Sequence, residues 1–201
     1  MLFSDTYLTI ERPVEALFKD KGSKFIGLAY PVQHEQQVKE ILQGLKKEHH
    51  TANHHCYAYR LGADKLTFRA NDDGEPSNTA GKPILGQIQS HDLTDILIVV
   101  VRYFGGTLLG VSGLIHAYKT TAAETIKVSK VVEKQILFSY TIHFPFEQLN
   151  DVMKILKQSD SRITAQEFDN NCKISFHIRK ASSEACEEKL KKTDGLTLEY
   201  R

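Results

Sequence analysis

At 201 residues the chain is long enough to bury the core of one large domain or two small ones. Its 41 % apolar and 25 % charged content is that of an ordinary soluble globular protein, and its longest apolar run, Ile96–Val101, is far short of the roughly 20 residues that cross a bilayer. The net charge is +1, with 15 basic against 14 acidic residues through Lys130 and 11 against 11 afterwards, so neither half carries the cationic excess that a sequence-independent footprint on duplex DNA requires.

Met1–Ile10 carries Asp5 and no apolar core, so no secretory signal is expected and the cytoplasm is the default compartment. Tyr7–Val32 contains strands, with Lys21-Gly22 as the turn between Val14–Phe18 and Lys24–Tyr30. Val38, Ile41, Leu42 and Leu45 repeat at helical spacing, which predicts an amphipathic helix ending near His49. Cys56–Leu61 and Lys65–Ala70 form a strand pair about Gly62-Ala63-Asp64. After a polar loop from Asn71, Thr79 is the expected N-cap of a helix holding Ile84, Leu85 and Ile88, with Pro83 in its first turn. Ile96–Val101 is apolar at every position and predicts a central strand covered on both faces. Leu114, Ala117, Tyr118, Thr121, Ala122 and Thr125 keep helical spacing to about Ser129.

The pattern then restarts. Ile136, Phe138, Tyr140 and Ile142 alternate as a strand, Leu149, Val152, Met153 and Leu156 repeat as a helix, and Ile174, Phe176 and Ile178 alternate again. A helix over Ser182–Lys192 and a strand over Leu196–Tyr200 follow, and the expected order is βαββαβ, the ferredoxin-like pattern, of which these segments supply three of the four strands. The predicted architecture is α+β in two domains, residues 1–130 and 132–201.

Charge, glycine and short polar side chains gather around the central strand. DDGEPSNTAGKP (Asp72–Pro83) precedes it, VVVRYFGGTLLG (Val99–Gly110) runs off its end, and HHCYAYR spans His54–Arg60. Together these segments resemble the IMPACT family, in particular its bacterial YigZ branch, over essentially the whole chain. The resemblance implies a first domain like the βαβ fold shared by a small-subunit ribosomal protein and elongation factor G domain four. It implies a second domain like the last domain of elongation factor G. It also implies a link to translation: larger eukaryotic members add an amino-terminal RWD domain that regulates a kinase of translation initiation, and here the first strand is expected near Tyr7, without room for one. No reaction is implied, and fold likeness alone carries no activity.

Gly105-Gly106 through Gly113 does not fit G-x-G-x-x-G, and Gly74–Lys82 does not fit a P-loop because Pro76 and Pro83 occupy its essential positions. One reading has two helix amino ends and their glycine loops cradling a phosphate or carboxylate beside Lys82 and Arg102. Ser77, Thr79 and Ser112 would add hydroxyl donors, and Arg102 would leave the strand at the carboxyl end where α/β folds place ligands. The other has the glycines serving tight turns and helix packing, with Arg102 paired internally to Asp73 or Glu75. Asp72, Asp73 and Glu75 either hold Mg²⁺ or cap the following helix and balance Arg102. His49, His50, His54, His55 and Cys56 lack the spacing of a structural zinc site, so no metal or cofactor is expected; one of His54 and His55 should reach the glycine loops and Cys56 should be core. Among the aromatics, Tyr103 is the expected exception to core packing, ending the strand beside Gly105 and Gly106 where it can stack on a base. No nucleophile with a neighbouring base is evident. The expected function is a regulatory or ribosome-associated protein binding RNA or a phosphorylated small molecule in this cleft. The alternatives are an enzyme acting on a phosphorylated metabolite or nucleotide, and a protein-interaction module marked by an exposed apolar patch.

Overall fold

The structure, a computed structural model, describes residues 5–200, which form eleven strands and five α-helices in a mixed architecture with antiparallel sheets. It divides into two compact units, one of Tyr7–Lys134 and one of Gln135 onward together with Asp5 and Thr6.

The first unit runs β1 (Thr6–Ile10), β2 (Val14–Asp20), β3 (Ser23–Pro31), α1 (Glu35–Glu48), β4 (His54–Leu61), β5 (Thr67–Asn71), α2 (Gly81–Ser90), β6 (Ile96–Tyr103), α3 (Gly110–Val128) and β7 (Val131–Gln135). β1 and β7 pair separately, and the other five strands form one sheet in the order β2-β3-β6-β4-β5. Lys21 and Gly22 both have positive φ, the conformation that a two-residue hairpin between β2 and β3 demands. Every pairing in this sheet is antiparallel. The carboxyl-end rule for ligands belongs to parallel sheets and does not locate the site here.

β6 is central and buried along Ile96–Arg102, because helices cover both faces of the sheet. Ile96, Ile98 and Val100 pack with Ile84 and Ile88 of α2 and Ala117, Tyr118 and Ala122 of α3. Leu97, Val99 and Val101 pack with Val38 and Leu45 of α1. By the same alternation Arg102 faces α2 and α3, and Tyr103 faces α1. Two other expectations change. α3 begins at Gly110, so Ser112 and Gly113 are helical rather than loop residues, and α2 begins at Gly81 with Ala80, not Thr79, at the N-cap.

The second unit runs β8 (Leu137–Pro145), a short 3₁₀ turn, α4 (Leu149–Gln158), β9 (Arg162–Glu167), β10 (Asn171–Arg179), α5 (Lys180–Leu190) and β11 (Thr197–Tyr200). Its sheet has the order β11-β8-β10-β9, antiparallel throughout. Tyr140, Ile142, Phe144, Ile174, Phe176 and Ile178 face Val152, Leu156, Cys186 and Leu190 in its core. Met153 points outward, because the apolar stripe of α4 is centred on Val152 and Leu156. Among the described residues no helix is long and apolar enough to cross a membrane.

Candidate functional site

Where β6 ends, its neighbour β4 begins, and the register sets His54 opposite Arg102. Directly opposed residues share a face of the sheet, so both side chains emerge on the side of α2 and α3. Asn53 locks this corner: its amide N–H donates to the Arg102 carbonyl (2.9 Å), and its Oδ1 accepts from the Phe104 amide (2.9 Å).

The Asp72–Gly81 loop folds over the corner. Asp72 Oδ1 accepts from the Ala80 and Gly81 amides at 3.0 and 2.8 Å, and Oδ2 accepts from the Asn78 amide at 2.9 Å. Its carboxylate therefore caps α2 from eight positions away, where an Ala N-cap has no oxygen to offer. Thr79 instead donates to the Pro76 carbonyl (2.6 Å). Asp73 Oδ2 accepts from the His55 amide (2.7 Å) and Oδ1 lies 3.2 Å from Lys46 Nζ. Burial opposes the ionisation of Asp73, but the His55 amide and the Lys46 ammonium outweigh it and hold its pKa below the ordinary range.

Glu75 reaches the floor. Its Oε1 accepts from Arg102 Nη1 (2.6 Å) and from the Tyr118 hydroxyl (2.7 Å), and His54 Nε2 lies 3.9 Å away. Glu75 and Arg102 are only 8 % and 5 % exposed, so this is a buried ion pair. The Cys56 sulfur lies 3.3 Å from the Tyr118 hydroxyl and 3.0 Å from the Asp72 carbonyl oxygen; burial pushes its thiol pKa up, and burial does the same to Tyr118. Neither group is an activated nucleophile at neutral pH. His54 Nδ1 is 2.8 Å from the Asp73 carbonyl, which can only accept, so Nδ1–H donates there and Nε2 is left on the Glu75 side.

Over this polar floor stands an apolar mouth. Phe104, Leu108, Leu109, Val111, Leu114 and Pro76 line a cleft of about 440 Å³ with Asn53, His54, Glu75, Arg102 and Gly110. Leu108 is 83 % exposed, and Phe104 is 45 % exposed with its ring 5.6 Å from the Arg102 guanidinium.

Of the expected site residues, the structure brings His54, Glu75 and Arg102 to the cleft, with Asp73 behind the loop. The rest lie elsewhere. Lys82, Ser77 and Ser112 are exposed and do not line it, and Thr79 is buried within the loop. Tyr103 and His55 lie on the α1 face, Tyr103 hydrogen-bonding His49 Nδ1 at 2.9 Å. Gly105 serves packing: a Cβ there would stand 1.9 Å from the Gly22 carbonyl carbon, so only glycine lets the two turns touch. Gly106 is exposed with φ of 85°. The acids Asp72, Asp73 and Glu75 each have a protein partner, and among the described residues no group of three or more His, Cys, Asp or Glu side chains is placed to hold a metal ion. Sequence reasoning missed the apolar mouth; its one signal is the Leu108-Leu109 pair set between glycines.

Comparison with known proteins agrees over most of the chain. The Impact N-terminal domain matches residues 21–126. The chain is 32 % identical over 183 residues to IMPACT family member YvyE of Bacillus subtilis, covering 91 % of this chain and 84 % of that one. It is 33 % identical over 166 residues to IMPACT family member YigZ of Escherichia coli, covering 82 % and 81 %. A crystal structure described as that of a hypothetical protein superposes with a TM-score of 0.77 at 30 % identity, covering 98 % of this chain and 97 % of the other.

Proposed function

The chain belongs to the IMPACT family, and from that premise we propose that it is a translation-associated, cytoplasmic protein that binds RNA, on or off the ribosome, through the cleft of its first unit. The observation that carries this reading is the half-exposed Phe104 ring at the mouth of a cleft whose floor holds buried polar groups. RNA binders use such rings as stacking platforms for unpaired bases. The strand orders support reading the fold by the ribosomal likenesses that the resemblance implies. β3 and β4 flank β6 and run parallel to each other through α1, a split βαβ unit, and the β11-β8-β10-β9 order is that of a ferredoxin-like domain. We take residues 1–130 and 132–201 as separate folding domains, each with its own core.

A phosphorylated small molecule is less well served, since Glu75 already offsets the Arg102 charge and Lys82 lies outside the cleft. The protein-interaction reading has one observation in its favour, the exposure of Leu108 and Val111 beside Phe104. Catalysis draws support only from the proximity of His54 Nε2 to Glu75. Sedimentation with purified ribosomes tests the proposal. The native protein is expected to travel with ribosomal particles and Val111→Asp to stay at the top of the gradient; native protein that remains at the top overturns ribosome binding, and native protein that also fails to retain ribosomal RNA on a filter overturns the proposal.

A further inference from the structure

We infer that the floor of the cleft reads the edge of one unpaired nucleobase. This deepens the RNA-binding reading above and rests on it. Arg102 lines the cleft while almost wholly buried, and its Nε has no hydrogen-bond partner among the described residues. Its Nη1 is held by Glu75 Oε1, which also takes the Tyr118 hydroxyl. Glu75 Oε2 takes no hydrogen bond from the described residues. A donor lacking an acceptor therefore sits on the same ion pair as an acceptor lacking a donor. Arg102 Nε is buried without a partner, which buried polar groups rarely are, whereas Glu75 Oε2 is not among the buried unpartnered atoms; a ligand that offers an acceptor to the first and a donor to the second meets both.

Charge decides the kind of ligand. Arg102 and Glu75 cancel, so a phosphate or carboxylate finds no net positive charge, whereas a neutral group with an N–H beside an acceptor complements the floor. Base edges carry that pairing. A carboxamide side chain carries it too, but it has no aromatic face, and here Phe104 stands at the mouth over a guanidinium that also lies 5.4 Å from Phe25. The stack continues naturally with a planar ring inserted against Phe104, its edge on Glu75 and Arg102 and its apolar flank against Leu108 and Val111.

Fluorescence anisotropy tests this with labelled single-stranded octaribonucleotides of each base, an abasic octamer of the same charge, and a glutamine-containing peptide as competitor. The expected result is that at least one base octamer binds about tenfold or more tighter than the abasic one. Phe104→Ala, at an exposed position, should lose that margin, Phe104→Trp should keep it, and Glu75→Gln should reorder the four bases. If base and abasic octamers bind alike and Phe104→Ala changes nothing, base reading is overturned while RNA binding stands. If no octamer binds, both readings fail. If the peptide displaces RNA as well as a base octamer does, the floor belongs to protein side chains and the inference is wrong.

Discussion

Arg102 shows how far a single residue can be read. Its place at the end of an apolar strand leaves two roles open, a ligand cation or half of an internal pair, and the 2.6 Å contact with Glu75 fills the second. Removing one partner of a buried pair strands the other, so Arg102→Ala should cost about 3 to 5 kcal/mol in chemical denaturation. A loss below about 1 kcal/mol would mean that Glu75 is not dependent on it. His55 supplies a pH test. Burial lowers its pKa, with the Lys46 and His49 charges acting in the same direction and Asp73 and the Leu45 backbone opposing, and its buried Nε2 makes no well-formed hydrogen bond among the described residues. The folded protein thus keeps His55 neutral to lower pH than the unfolded chain does. The stability from this source is complete above the ordinary value of 6.5 and is lost as pH falls from there through the lowered value. Between pH 7 and 5 the melting midpoint of the native protein should fall more steeply than that of His55→Leu; parallel curves would rule the effect out.

At the scale of elements, periodicity is legible wherever burial is strong. Ile96–Val101 is the central strand because every position is covered, and the i, i+3, i+4, i+7 spacing from Val38 to Leu45 is α1 because one face meets the sheet. β9 escapes sequence reading because only Ile163 and Ser161 just before it are turned inward at all in that region. Capping fails for a different reason: Asp72 reaches α2 through the closed Asp72–Gly81 loop, and a contact made across eight positions leaves no local signature. Asp72→Ala removes the acceptor of three backbone amides and should cost about 1 to 2 kcal/mol, read by urea denaturation. Thr79→Val, by contrast, should leave α2 intact; the reverse ranking would restore Thr79 as the cap. The candidate site is half legible. Alternation sends Arg102 and Tyr103 to opposite faces, so residues contiguous in sequence are divided by the sheet, while the apolar mouth depends on where the Gly105–Gly110 loop lies, which no periodicity states.

For the molecule as a whole, the restart of the apolar pattern near Ile136 corresponds to two compact units with cores of their own. Residues 5–134 expressed alone should melt cooperatively; a broad, non-cooperative loss of structure with the full chain cooperative would refute independent folding. The RNA-binding proposal requires that RNA enter the cleft of the first unit. Photo-crosslinking of the full chain to single-stranded RNA carrying 4-thiouridine, followed by peptide mapping, locates the contact. Crosslinks to His54, Phe104 and the Leu108–Leu114 segment are expected, lost on adding excess unlabelled RNA. Crosslinks confined to Gln135–Tyr200, with none in the cleft, would contradict the proposal.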